Sequence, residues 1–279
     1  MNIFITGSNG FVGSHLKEYL QSNHTDYFLF TPSSNELDLY DEMSVDKYII
    51  GNKIDLIIHT ANRGGDRTTL DMKNITEYNL KIFFNIVKHE KNVKKIISFG
   101  SGAEYGKHKA IIDAKEEDYL QEQPLEEYGF YKSITSKYIE KSDNIVQLRI
   151  FGAYGENENY RFKFISNAIV KNLLNLPIVI NKNVYFDYIY IADLVKMIAW
   201  FIENDTKEKV YNVTTGKKVD LVSNERVLKE IGEFTFTTHK EAIMKMREYF
   251  RYNLDSLDKE SIINDPYLKK IDNMWKKED

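Results

Sequence analysis

A chain of 279 residues, 42% hydrophobic and 13% aromatic, can bury a sizeable core as one large domain or a domain with a smaller lobe, and its composition is not that of a disordered protein. Its 38 Lys and Arg against 42 Asp and Glu leave a formal charge of −4 without a basic block, which argues against a nucleic-acid surface. Zero cysteine excludes disulfides, thiolate metal sites and a thiol nucleophile, and no metal site is expected.

The opening MNIFITGSNG lacks the charged region and apolar stretch of a signal peptide, and runs such as Met197–Ile202 are too short to span a bilayer. A cytoplasmic protein without a membrane partner is expected. Apolar runs at Ile3–Ile5, Tyr27–Phe30, Leu56–Ile58, Ile96–Phe99 and Ile145–Ile150 predict strands, each bounded by turn-forming residues. Helical patterns fall between them at Phe11–Gln21, roughly 42–50, Leu70–His89 and Leu125–Lys141. Short strands alternating with helices predict an α/β fold with a doubly wound parallel sheet covered on both faces. After Gly155 the pattern weakens to a helix near Phe164–Leu174, a strand at Ile178–Ile180, a helix at Ile191–Glu203 and a strand at Val210–Val213. The last 50 residues look helical, charged and amphipathic.

Thr6-Gly7-Ser8-Asn9-Gly10-Phe11-Val12-Gly13 follows the first strand immediately and opens the first helix, the context a dinucleotide fingerprint requires. Gly7 makes the tight turn, Gly10 lets the backbone approach a pyrophosphate, and Gly13 allows close packing of helix on strand. At the end of the second strand, Thr31-Pro32-Ser33-Ser34-Asn35 contains neither an acid for a ribose 2′-OH nor a base for a 2′-phosphate. Without a repelling carboxylate the reading leans weakly to NADP over NAD, with Ser33 and Ser34 as phosphate donors. The expected division is a Rossmann-type NAD(P)-binding domain at 1–155 with about 184–200, and a smaller, mostly helical substrate lobe at about 156–183 with 201–279.

Tyr128-Gly-Phe-Tyr131-Lys132 places Tyr128 and Lys132 one helical turn apart on one face, and Ser101 lies just past the Ile96–Phe99 run. An ammonium and a charged nicotinamide near a phenol bring its pKa toward the working range, while a serine hydroxyl holds the substrate oxygen.

With these residues in place the chain resembles the extended short-chain dehydrogenase/reductase family, in its branch of nucleotide-sugar epimerases, dehydratases and 4-ketoreductases. The resemblance covers roughly residues 1–216. It rests on the glycine turn, ELDLYD (36–41), DLIIHTA (55–61), TEYNLKIFFNIV (76–87), SFGSGAEYG (98–106), YGFYK (128–132), LRIFGAYG (148–155), FDYIYIADLV (186–195) and YNVTTGK (211–217). It implies Ser101, Tyr128 and Lys132 as the catalytic trio, Asn79 as an aid to the proton relay, Lys132 on the cofactor ribose, Asp38 and Leu39 beside the adenine, and Thr60 and Ala61 along the cofactor. It also implies a nucleotide-sugar substrate and a homodimer through the helices at Leu70–His89 and Leu125–Lys141, for which Ile75, Ile82, Phe83 and Ile134 are candidates.

Departures from the family narrow the reaction. Dehydratases carry Asp-Glu directly after the catalytic hydroxyl residue; here Gly102 and Ala103 stand there, and Glu104 comes one residue late, so its side chain should point elsewhere. The epimerase–reductases that make GDP-fucose use a cysteine where Ala103 aligns, and a histidine near Arg161-Phe162-Lys163. What remains is hydride transfer with one proton. The preferred reading is NADPH-dependent reduction of the C4 ketone of a nucleotide-linked 4-keto-6-deoxy sugar for surface polysaccharide. An NAD-dependent 4-epimerase is the alternative, and an NADP-binding sensor or scaffold the non-enzymatic one. Arg161 and Lys163 are the candidate cations for the substrate diphosphate, with Arg226 and Arg247 behind them. Gly152 replaces the family's usual Asn.

Overall fold

The computed structural model describes residues 1–65, 69, 72–106, 111, 113–121, 123–180, 186–215 and 223–264. In chain order the elements are β1 (Asn2–Thr6), α1 (Phe11–Asn23), β2 (Phe28–Phe30), α2 (Glu42–Gly51), β3 (Leu56–His59), α3 (Ile75–Val87), β4 (Lys95–Ser101), α4 (Glu127–Ile139), β5 (Ile145–Ile150), β6 (Gly152–Tyr154), α5 (Phe164–Leu173), β7 (Tyr188–Tyr190), α6 (Ile191–Glu203), β8 (Val210–Val213), α7 (Glu225–Ile231), α8 (His239–Tyr252) and α9 (Lys259–Ile263). They fall into two compact units, Met1–Ala153 with Tyr185–Thr235 and Tyr154–Val184 with Phe236–Asp279.

The first unit is built on a six-stranded sheet in the order β2-β1-β3-β4-β5-β8, every pair parallel. Register follows the apolar runs: Ile3 lies opposite Leu56, Ile57 opposite Ile96, and Leu148 opposite Tyr211. Because side chains alternate along a strand, Phe4, Ile57, Ile96 and Ile145 share one face, where they pack with Val45 and Ile49 of α2, Phe83 and Ile86 of α3 and Ile139 of α4. The alternate residues Ile3, Ile5, Ile58 and Ile97 are fully buried on the other face, the side on which α1 packs against α6. Each such burial contributes about 1.5–3 kcal/mol. This is the Rossmann-like architecture expected from the sequence. It brings the polar ends of β1, β3 and β4, at Thr6, His59 and Ser101, side by side at the carboxyl edge of the sheet.

In the second unit α5 packs on α8, which buries Ala242, Met246 and Phe250 at helical spacing and starts with a capping box between Thr238 and Glu241. No helix among the described residues is long and apolar enough to cross a membrane.

Three expectations are corrected. α3 begins at Ile75 because Asn74 takes a left-handed φ of 60° and residues 72–74 are not helical; Leu70 lies outside the described residues. Ile178–Ile180 is not a strand: the run is exposed (44%, 50% and 66%) and pairs with no strand among the described residues. Residues 201–215 and 223–235, assigned from sequence to the second lobe, belong to the first unit, because β8 is hydrogen-bonded to β5. Gly216 and Lys217, the end of the YNVTTGK motif, lie outside the described residues, as does the end of the chain from 265.

Candidate active site

The glycine turn is held by a knot of polar groups at the ends of β1 and β3. Thr6 Oγ1 accepts from the backbone N–H of Thr60 and Ala61, at 3.2 Å each, and so turns its own proton to His59 Nδ1, 2.9 Å away. Burial, then the charge of Lys132, pulls His59 down to about 3, which keeps its ring neutral and able to accept. Thr60 returns its hydroxyl to the Thr6 carbonyl at 2.7 Å. Gly7 sits against this knot with φ 66°, where a Cβ would come within 2.7 Å of Thr60 Oγ1; at Gly13 a Cβ would collide with the Gly7 carbonyl. Gly10 is the N-cap of α1, with Phe11, Val12 and Gly13 as its first turn, and neither a side-chain cap nor an acid fills that helix terminus.

Beside the turn lies a cleft of about 220 Å³ lined by Gly7, Ser8 and Asn9, by Ser33, Ser34, Asp38 and Leu39, and by Ala61, Asn62, Arg63, Tyr78 and Ile82. The glycine cradle and the open helix terminus suit a dinucleotide. Asp38 is not a helix cap: it accepts from Tyr40 N at 2.9 Å, and Asp41 caps α2. Ser33 is less free than its sequence suggests. Its backbone N–H and its hydroxyl both donate to Glu36 Oε2, at 2.7 and 2.8 Å, so a carboxylate stands where the sequence reading saw none.

Ser101 ends β4 and caps a short 3₁₀ turn, Gly102–Tyr105, accepting from Ala103 N at 3.2 Å. Tyr128 and Lys132 project from α4. The buried Lys132 ammonium donates to the carbonyl of Phe99, two residues before Ser101, and lies 5.8 Å from the centroid of the Tyr128 ring. Burial pulls Lys132 down to about 8, with the charge of Glu104 opposing. α4 meets the 3₁₀ turn at Gly129, where a Cβ would fall 2.5 Å from the Ala103 carbonyl oxygen. Tyr128 is half-buried, whereas its edge-packed neighbour Tyr131 is 3% exposed and burial pushes its phenol well above the usual range. Of the two phenols, Tyr128 is the more accessible.

Asn79 gives both ends of its amide to Arg63, accepting from its N–H and donating to its carbonyl at 2.8 Å each. It thereby pins the loop after β3, whose Gly65 (φ 93°) lies so close to Tyr128 that a Cβ would be 2.5 Å from the ring. Glu104 points away from the reacting edge. Fully buried, it accepts from Ser101 N at 2.7 Å and Gln147 Nε2 at 3.1 Å through one oxygen, and from Ser136 Oγ at 2.5 Å and Arg149 Nε at 2.6 Å through the other. Arg149 and this tie, together with the loop residues Arg63 and Gly65, were missed in the sequence, where only the adjacency of Arg63 to Thr60-Ala61 pointed to the cleft.

Residues 3–214, from β1 to the end of β8, match the profile of the NAD dependent epimerase/dehydratase family. The chain belongs to this family. Among curated relatives of this family member, the ADP-L-glycero-D-manno-heptose-6-epimerase of Brachyspira hyodysenteriae is 27% identical over 261 residues, covering 82% of this chain and 80% of the relative. The GDP-L-colitose synthase of Yersinia pseudotuberculosis is 27% identical over 277 residues, 88% of each. In fold the family member is similar to a GDP-mannoheptose C4 reductase from Campylobacter jejuni with NADP bound, at TM-score 0.78 and 19% identity over 90% of this chain and 98% of that one.

The remaining candidates are placed as follows. Arg161 and Lys163 lie in the second unit; Arg161 is ion-paired with Asp258 at 2.9 Å, and Lys163 is the exposed N-cap residue of α5. Arg226 is engaged in the first unit with Glu117 at 2.9 Å and Glu116 at 3.5 Å. Gly152 packs so that a Cβ would lie 2.7 Å from the Asp187 carbonyl oxygen, which leaves no room for the family's Asn.

Proposed function

We propose that this chain is a cytoplasmic enzyme that reduces the C4 ketone of a nucleotide-linked 4-keto-6-deoxy sugar with NADPH, supplying sugars for surface polysaccharide. The observation that carries the reading is the fate of the carboxylate nearest the trio: Glu104 is consumed by four donors, and Ala103 replaces a cysteine base. Elimination and carbon epimerisation both need a second proton-transfer group, and none of these positions supplies one. The names of the relatives, a nucleotide-linked heptose epimerase, a GDP-sugar synthase and a GDP-heptose C4 reductase, support the substrate class.

When bound, the reduced nicotinamide supplies a hydride to the carbonyl carbon. Ser101 Oγ accepts from Ala103 N, so its proton is available to polarise the ketone oxygen. Tyr128 gives its phenol proton to the alkoxide oxygen so formed, yielding the alcohol and a phenolate. Lys132, 5.8 Å from the Tyr128 ring centroid, would hold the ribose and stabilise the phenolate that remains. Asn79 serves the relay by fixing the loop against Tyr128. Ser34 is the donor left for a 2′-phosphate, since Ser33 is bonded to Glu36.

The test is an NADPH and NADH oxidation assay against GDP-, dTDP-, CDP- and UDP-linked 4-keto-6-deoxy sugars. One NADPH consumed per sugar is expected. Interconversion of two sugars without net oxidation would make the chain a 4-epimerase, and binding without any turnover would make it a sensor.

A homodimer through α3 and α4 belongs to the same reading, with different residues from those expected. Ile75, Ile82 and Phe83 are buried within the protomer and Ile134 is half-buried, while Phe84 and Tyr138 stand exposed (42% and 38%) and packed edge to face at 5.5 Å. Sedimentation should show a dimer that F84E converts to monomer.

A further inference from the structure

The loop after β3 carries a charge that neither the glycine turn nor the trio uses. Arg63 is exposed and lines the cleft, and its guanidinium lies 3.4 Å from the centroid of the Tyr78 ring. Tyr78 is stacked in turn on Tyr40, with centroids 5.3 Å apart and planes 16° from parallel. Tyr40 follows directly on Asp38 and Leu39, which line the same cleft. All three layers are pinned to α3. Tyr78 belongs to it, Asn79 brackets the backbone of Arg63, and Asn85 donates to the carbonyls of Leu39 and Tyr40 at 2.8 and 3.1 Å. Among the described residues no carboxylate pairs with Arg63. The guanidinium is thus held by its flat face, with its charge unspent.

We propose that Arg63 is a stacking clamp for the adenine ring of the dinucleotide. A guanidinium is planar, weakly hydrated and able to lie between two π systems, so with one face on Tyr78 it offers the other to a purine entering the cleft. Phe4, Leu37 and Ile82 supply the apolar walls that such a ring needs. The inference rests on reading the cleft as the dinucleotide site. It assigns Arg63 to the base, which NAD, NADP and ADP share, and not to a phosphate.

Titration calorimetry of the full chain with NADPH, NADH and ADP tests it on wild type, R63A and R63K. R63A should weaken all three by about tenfold, and R63K, which restores the charge without the plane, should not recover the loss. Unchanged affinity in R63A would overturn the assignment. So would a loss confined to NADPH, which would make Arg63 a 2′-phosphate partner, or full rescue by R63K, which would make it a counter-charge to the pyrophosphate. Failure of the wild type to bind any of the three would instead overturn the dinucleotide reading, and the clamp with it.

Discussion

Two tyrosines about one helical turn from each other on α4 differ in burial, and the proposed mechanism uses the more accessible one. Tyr131 is enclosed and burial pushes its phenol well above the usual range, whereas Tyr128 is half-buried; the Lys132 ammonium lies near both rings, 5.8 Å from the Tyr128 centroid and 5.1 Å from that of Tyr131. Y128F should therefore lower turnover by about a thousandfold while leaving NADPH affinity within about threefold, measured by steady-state kinetics and fluorescence titration. Full activity in that variant would sink the mechanism. Helical spacing singled out Tyr128 and Lys132 and a place past a strand run singled out Ser101, while their joint role came only from the family resemblance. Ser33 was not legible in the same way. The carboxylate that occupies it comes from three residues further on, and the Ser33 backbone N–H, then its hydroxyl, holds Glu36 below the usual carboxylate range, so it is charged at neutral pH. A negative charge there opposes a 2′-phosphate. E36Q should raise NADPH affinity relative to NADH by about threefold, the effect shrinking with added salt.

At the scale of elements, the Glu104–Arg149 pair ties β4, β5, α4 and the 3₁₀ turn into one unit. Arg149 is fully buried on β5; besides Glu104 it donates to Tyr105 Oη at 2.6 Å and to the Glu116 carbonyl at 3.1 Å. Removing one partner of such a pair leaves a buried charge unmatched, at a cost of about 3–5 kcal/mol. E104Q should lower stability by that order in denaturant titrations and loosen Ser101, whose N–H rests on Glu104. The sequence marked Glu104 as displaced by one position and pointing elsewhere. It did not show where, since the partners come from residues 136, 147 and 149 and meet only when β5 lies beside β4. The start of α3 was misplaced for a local reason: a left-handed Asn74 interrupts a run whose apolar periodicity continues through it.

For the molecule as a whole, the second unit carries its own ionisation switch. Glu158 is buried, its carboxyl accepts a hydrogen bond from the Ser166 hydroxyl, and burial pushes it up to about 7 against the opposing effects of Ser166 and Lys163. Because the folded value lies above the unfolded one, its protonated form adds stability that is fully present below about pH 4.5 and is lost as pH rises through about 7, on the order of 3 kcal/mol. Melting curves at pH 5 and pH 8 should show the second unit less stable at the higher pH. E158Q should flatten that difference; an unchanged pH dependence in E158Q would assign it to another group.

Short apolar runs, helix faces and the spacing of Gly7, Gly10 and Gly13 are local properties, and from them the parallel sheet and the glycine turn between β1 and α1 were legible. Long-range partners are not local. Only the folded chain decided that β8 joins the sheet beside β5, that Ile178–Ile180 stays unpaired, that Glu104 is spent on Arg149, and that Arg63 lies on Tyr78 in the cleft. Each depends on which surfaces meet across tens of residues, a choice made by burial and hydrogen-bond satisfaction over the whole core and not by any window of sequence.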